Sequence, residues 1–338
     1  MTTPRHAHVD WRRADLKVGP YGVILLTVTL LTGIAISVRV VGADLSTSAK
    51  GYGGPAVALR EGGQVGPTAQ PVRHAMGGMV LTVDVARKSV VISHDAVSGV
   101  MPAMTMPFEV RDAKELAGLV PGTIVSFTLV LTKESGYIER VKAIRYQSVE
   151  QDPMAARRLR LLSNLTGSTP ARLAVGQAVP DFTLLDQSRQ RVSLSQFAGK
   201  VVGVNFIYTS CVLPQFCYRV ANHFSVIRDR FKDRMGRDLV LLTVTFDPAR
   251  DTPERLAQYA SQWKADSKSW HFMTGNATDV ERVCGMFGVD FFADEGLMSH
   301  SVRTAVIDRR GVLVANIEGN TYTASQLGDL VDTALKKK

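Results

Sequence analysis

The chain has 338 residues and a mass of 36.8 kDa, room for about two domains plus connectors at roughly 100 to 200 residues per domain. An apolar fraction of 45%, a charged fraction of 21% and a mean hydropathy of +0.04 exclude both a wholly disordered chain and a polytopic membrane protein. The net charge of +9 admits nucleic acid, anionic lipid or an acidic partner without choosing among them, and three cysteines are too few for a disulfide scaffold but leave room for one functional pair.

Residues 1–17 carry Arg5, Arg12, Arg13 and Lys17 against Asp10 and Asp15, and Val18 to Val38 is then free of charge. Those 21 residues reach roughly 31 Å as a helix, enough for a hydrocarbon core of about 30 Å. The basic flank stays cytoplasmic, so everything after Val41 is expected outside the cytoplasm. The expected organisation is a cytoplasmic tail (1–17), a single transmembrane helix (18–41) in the inner membrane, a flexible Gly/Ser/Thr/Pro-rich linker (42–72) and soluble domains in the periplasm. The competing reading is a cleaved signal peptide, since Val41, Gly42 and Ala43 make a small-residue cleavage site. Arg39 and the length of the apolar run favour the retained anchor.

Residues 73–148 read as five short strands, Val80 to Val85, Ser89 to Ser93, Met104 to Val110, Thr123 to Leu131 and Tyr137 to Ile144, separated by turns such as Pro121-Gly122 and Ser135-Gly136. Five strands in about 75 residues suggest a small all-β barrel. Within it, Met101-Pro102-Ala103-Met104-Thr105-Met106 concentrates thioethers. In an extended strand Met104 and Met106 share one face. Such a soft patch suits monovalent copper or silver, with His94 as a further ligand, but methionine also fills gaps in apolar cores, so both readings stand on spacing alone.

The run from His94 to Phe108 resembles the CusF-like periplasmic copper-binding family, over about residues 74–146. The resemblance implies an OB-like barrel with His94, Met104 and Met106 as copper ligands. Where the best-described members carry a capping tryptophan, this chain has Met101, as a third thioether ligand or a lid. His74, Met76 and Met79 could add ligands, but their place at a strand entry suits a structural role. Residues 149–175 form a second linker, with a basic amphipathic stretch, Met154 to Leu162, read as a solvated helix.

From Gly176 the pattern changes to βαβ and then ββα. Strands at Val201 to Tyr208 and Leu239 to Phe246 are followed by helices at Tyr218 to Arg230 and Pro253 to Trp263, and a hairpin of Thr304 to Asp308 with Val312 to Glu318 precedes a helix from Ala324 to Leu335. This layout predicts an α/β thioredoxin-like domain over 176–338. Cys211 and Cys217 follow the first long strand, where functional groups of open α/β sheets gather. An i, i+6 pair falls on opposite faces of a helix, so Cys211 belongs to a folded-back loop and Cys217 to the helix start. Two such sulfurs form a disulfide or bind a soft metal that needs a third ligand. His300 is the candidate, although spacing cannot bring it there. Cys284 reads as a small buried apolar residue. Asp247 reads either as a hydrogen-bond partner of the cysteine loop or as a turn residue before Pro248.

The runs Val179-Pro180-Asp181-Phe182, Asp247-Pro248-Ala249-Arg250-Asp251-Thr252-Pro253, Trp270-His271-Phe272-Met273 and Ser299-His300-Ser301 resemble the Sco/SenC family of membrane-anchored, thioredoxin-fold copper proteins that assemble the copper centre of cytochrome c oxidase. The resemblance implies Cys211, Cys217 and His300 as ligands of Cu(I) and, in addition, Cu(II). The chain departs from the family pattern by having five residues between its cysteines instead of three, and Ser299 where an aspartate is common. The functional expectation is a copper-handling protein or metallochaperone rather than a turnover enzyme. Its partners would be a copper donor or recipient such as an oxidase subunit, and a periplasmic thiol reductant. The alternative is a thiol-disulfide oxidoreductase working through Cys211 and Cys217. Nucleic-acid binding is excluded by the exported location and the lack of any interleaved aromatic or helix-turn-helix signal.

Overall fold

A computed structural model describes residues 71–133, 135–146, 172–294 and 297–337. The expected membrane span, most of the first linker and the helix Met154 to Leu162 lie outside the described residues. Among those described, no helix is long and apolar enough to cross a membrane.

The first part of the described chain is all-β. Strands β1 (Val72–Asp84), β2 (Ser89–His94), β3 (Met104–Glu109), β4 (Ile124–Leu131) and β5 (Gly136–Ala143) form one antiparallel sheet in the order β3-β2-β1-β4-β5. Period-two burial sets its inner face: Val125, Phe127 and Leu129 of β4 join Val80, Val90, Ile92, Phe108 and Ile138 in one core. The sheet's two ends are drawn together where Val110 bridges Ile138 and Arg111 N–H donates to the Ile138 carbonyl at 3.0 Å. Gly78 permits the close approach of β1 to β2, since a Cβ there would lie 2.6 Å from both Ile92 Cγ2 and the Ser93 carbonyl oxygen.

β1 is longer than its apolar pattern suggests and is buried on both faces over Gly78 to Leu81. A register shift between Val80 and Thr82 adjusts the pairing with β2. Val80 enters the core of the first sheet, whereas Met79 and Leu81 enter a second cluster with Ala315, Ile317, Leu327, Leu330 and Val331 of the following domain. Gly122, at φ +88°, turns the chain directly onto this neighbour, so that a Cβ would lie 3.0 Å from Ile317 Cγ1. Met79 and Leu81 thus give the two domains a shared apolar contact.

The second part is a seven-stranded sheet in the order β14-β13-β8-β9-β10-β6-β7. Its centre is parallel: β8 (Val201–Ile207), β9 (Leu239–Thr245) and β10 (Trp270–Thr274). β8 and β9 are buried along their whole length, as their mostly apolar runs require when helices cover both faces, with Asn205, Thr243 and Thr245 the buried polar exceptions. On one face lie α1 (Arg219–Arg230), α2 (Pro253–Gln262) and α4 (Ala324–Lys336), and on the other α3 (Ala277–Met286). Thr252 caps α2 ahead of Pro253, and Thr323 with Gln326 forms a capping box on α4. The predicted hairpin is β13 (Arg303–Ile307) with β14 (Leu313–Glu318). The order βαβ followed by ββα is thioredoxin-like. Beyond the sequence reading lie the edge hairpin β6 (Thr183–Asp186) with β7 (Arg191–Ser193), helix α3, and a separate hairpin, β11 (Phe291–Asp294) with β12 (Leu297–His300).

Candidate metal centres

In the first domain, the β2–β3 register pairs His94 with Met104, Ser93 with Thr105 and Ile92 with Met106. Alternation therefore puts His94, Met104 and Met106 on the same face as the core residues Ile92 and Phe108, with Ser93 and Thr105 on the other. Met106 packs on the core and Met104 is 47% exposed, so the thioethers stand at the lip of the apolar interior. His94 is buried, with its ring edge-on to Phe108 at 5.9 Å. Its Nδ1 lies 2.8 Å from the Asp95 carbonyl oxygen, which commits the Nδ1 proton there and leaves Nε2 as a lone-pair nitrogen. That Nε2 is buried without a hydrogen-bond partner, a situation that costs about 1 to 3 kcal/mol unless something binds it. A thioether pair opposite such a nitrogen fits a soft monovalent metal. Met101 forms an antiparallel bridge to Val97 and packs against the same core. Met76 and Met79 are core residues, Met79 on the side of the second domain.

In the second domain, β8 runs into Tyr208-Thr209-Ser210, and the loop continues into one turn of π-helix, Pro214–Tyr218, ahead of α1. The wide turn accommodates the long spacing, and the loop folds back so that the two thiols act on each other, with Cys211 Sγ donating to the Leu213 carbonyl at 3.6 Å. Cys211 is half-buried, while Cys217 is 3% exposed and faces the core. The strand end is held by Asp251, wholly buried, whose carboxylate accepts from Thr209 N–H at 3.0 Å and from the hydroxyls of Thr209 and Thr245 at 2.5 Å each. Asp247 does not do this. It accepts the Asp251 N–H through its carbonyl, and its buried Oδ2 makes no hydrogen bond but lies 3.6 Å from Arg250 Nε.

The two thiols are electrostatically unequal. The Cys217 thiol brings the Cys211 thiol down to about 5 against the opposing effect of burial, helped by the Leu213 and Cys217 backbone and by the Tyr208 hydroxyl. The same interaction, with burial and the Cys211 charge, pushes Cys217 well up. Burial, then the Cys211 charge, raises Tyr208 to about 12, which keeps its hydroxyl a donor.

His300, the last residue of β12, is boxed by Phe246, Tyr208 and Phe216 at ring-centroid distances of 4.6, 5.8 and 6.1 Å. Its Nδ1 lies 3.0 Å from the Ser301 carbonyl. Burial lowers its pKa, so the ring is neutral at pH 7 with Nε2 as the acceptor nitrogen. The Cys211 charge acts on it across the site. Among the described residues, no three His, Cys, Asp or Glu side chains are gathered as a metal site. The second domain thus offers a preformed dithiol with an imidazole held nearby. Tyr208, Phe246 and Asp251 were not singled out in the sequence. Their positions at the ends of β8 and β9 and in the turn after β9 were the signal that could have found them. Cys284 is wholly buried, and burial raises its thiol.

In the reduced protein, alkylation of Cys211 is expected to be nearly independent of pH above about 6, with Cys217 protected until unfolding. A lowered thiol pKa leaves the thiolate present until the pH falls through the folded value, so the rate drops only near pH 5. Because the pair titrates together, the midpoint belongs to both thiols. A rate that keeps rising to pH 9, followed by mass spectrometry at each cysteine, would contradict this arrangement.

Fold and site define a class: a thioredoxin-like domain with a dithiol at the end of its first parallel strand, joined to an all-β domain with thioethers and imidazole at its rim. Residues 171–335 match the SCO1/SenC family and residues 73–143 the family of the copper binding periplasmic protein CusF. The chain is accordingly a SCO1/SenC-type thioredoxin-like protein with a CusF-type copper-binding domain, and the metal of these families is copper. It is 27% identical over 154 residues to Protein sco1 of Schizosaccharomyces pombe, covering 43% of this chain and 56% of that one. To the SCO2-like protein of Rickettsia prowazekii it is 30% identical over 138 residues, covering 38% and 64%. The alignments thus span less than two thirds of these relatives' own length. Among solved structures, yeast Sco1 with copper bound aligns at 24% identity and a TM-score of 0.41, covering 49% of this chain and 91% of that one.

Proposed function

We propose that the protein is an extracytoplasmic copper metallochaperone, tethered to the inner membrane through residues 18–41, with its domains in the periplasm. Cu(I) is its cargo. The first domain, read as an OB-like barrel, takes it through His94, Met104 and Met106, with Met101 over the site. The second takes it through Cys211, Cys217 and His300, and a movement of the cysteine loop or of the β11–β12 hairpin completes that donor set. A cytochrome oxidase subunit is the proposed recipient, and a periplasmic thiol reductant keeps the dithiol open.

One observation carries this reading: each domain holds an imidazole, buried for His94 and half-buried for His300, whose Nδ1 is bonded to the carbonyl of the next residue, beside soft sulfur donors. This device fixes the tautomer and frees Nε2 for a metal. The unequal dithiol favours a second reading, a thiol-disulfide oxidoreductase with Cys211 as nucleophile. Anaerobic Cu(I) titration of the reduced chain against a chelator tests the first. The expected result is two copper ions per chain, one lost on changing Cys211 and Cys217 to Ser and the other on changing the methionines. A chain that takes up no copper while exchanging disulfides rapidly would leave the oxidoreductase reading.

A further inference from the structure

The face of the methionine strand opposite the thioethers is seated on helix α4 of the second domain. Thr105, between Met104 and Met106, donates its hydroxyl to Asp329 Oδ2 at 2.8 Å. Ser93, the neighbour of His94 and the cross-strand partner of Thr105, donates to the same oxygen at 2.7 Å. Arg230 of α1 occupies the other carboxylate oxygen at 2.6 Å. One turn earlier on α4, Gln326 donates to the Ser93 carbonyl at 3.3 Å and to the Asp95 side chain at 3.1 Å. Asp95 also supplies the carbonyl that fixes His94 Nδ1. Burial opposes ionisation of Asp329, but the bonds from Ser93, Arg230 and Thr105 outweigh it and hold the carboxyl below its usual range. His94, Met104 and Met106 therefore each have a sequence neighbour tied to α4.

β3 is an edge strand, paired over its length only with β2, and it contains Pro107, which has no N–H to contribute to the ladder. Its hold within the sheet is the β2 ladder and, just past its end, the Val110–Ile138 bridge. Successive side chains point rigidly to opposite faces, so pinning the Thr105 hydroxyl from outside fixes the direction in which Met104 and Met106 stand at the lip. The shared apolar contact through Met79 and Leu81 brings α4 to that face.

We propose that Asp329 is a positioning residue for the Met104–Met106 strand, and that docking of the barrel on α4 is thermodynamically coupled to Cu(I) binding at His94, Met104 and Met106. The inference rests on the copper reading of the first domain. Partners that orient metal ligands from outside the coordination sphere typically contribute 10- to 100-fold to affinity. By linkage, Cu(I) tightens the docking by the same factor that docking tightens Cu(I) binding.

The test uses the full chain with Cys211→Ser and Cys217→Ser, so that chelator competition reads the first domain. Asp329→Ala is expected to weaken Cu(I) binding about tenfold. Thr105→Val, which suits an edge strand and removes only the hydroxyl, is expected to do the same, and the two together to do no more than either. Asp329→Asn, which keeps an acceptor, should recover part of the loss. In the chain with Thr105 and Asp329 intact, Cu(I) should also slow amide exchange at the amides joining β3 to the β2 strand and along α4, an effect lost in Thr105→Val. Should Thr105→Val and Asp329→Ala both leave affinity within twofold, or should their losses multiply, the coupling is refuted while the copper reading stands. If the chain binds no Cu(I) before any change at Thr105 or Asp329, the copper reading falls, and this inference with it.

Discussion

Changing His300 to Ala is expected to weaken copper binding by the second domain by on the order of 100-fold, about 2.7 kcal/mol, since losing a ligand should cost at least what losing its outer partner does. The same change should leave the rate of thiol exchange at Cys211 within about threefold. The physical ground is that the Cys211 thiolate is held by Cys217, the Leu213 and Cys217 backbone and the Tyr208 hydroxyl, with no contribution from the imidazole among its leading causes. His300 sits among Phe246, Tyr208 and Phe216, so truncation opens a cavity worth about 2 to 4 kcal/mol of stability. His300→Leu keeps the box filled and separates the two effects: it should match His300→Ala in copper affinity but melt closer to the unmutated chain. Affinity is read by chelator competition and exchange by reaction with an aromatic disulfide. If both variants lose exchange while copper affinity holds, the imidazole serves the thiols as a base, and the oxidoreductase reading replaces the chaperone reading for this domain.

What the sequence disclosed about these sites follows from how local each feature is. Alternation alone puts Met104 and Met106 on one face, and the β2–β3 register then stands His94 opposite Met104. A turn and a strand suffice for that, so the barrel site was nearly complete on the page. In the second domain the loop between Cys211 and Cys217 had to fold back, and it does, but the π-helical turn that accommodates five intervening residues leaves no mark in composition or period. His300 reaches the site on a four-residue strand paired only with another of equal length, too short for any periodicity to announce it. Asp251 and Asp247 sit in one turn, and it is the fold that brings the former, and not the latter, to Thr209. The contact between domains was the least legible feature. Met79 and Leu81 read as ordinary strand residues, and nothing local says that the face they occupy belongs to a second core.

Replacing both Met104 and Met106 with Leu is expected to abolish Cu(I) uptake by the first domain, a loss of at least about 100-fold when each ligand contributes tenfold or more, with the fold intact. Leu and Met are close in volume and both apolar, so each exchange should cost less than about 1.5 kcal/mol. At Met104, which is 47% exposed, the cost should be smaller still. Thr105 and Ser93 keep their bonds to Asp329 because they lie on the opposite face, so the docking on α4 survives the change. The thermal midpoint is the control: a shift of only a few degrees with complete loss of Cu(I) competition identifies the sulfurs as ligands. His94 gives the complementary measurement. Its unbonded Nε2 is buried at the same lip, and His94→Phe would keep an aromatic ring against Phe108 while removing both the nitrogen and the Asp95 carbonyl bond. If copper affinity is unchanged when the two methionines are replaced, they belong to the apolar core that Phe108 and Ile92 define, and the barrel's metal has to be sought elsewhere.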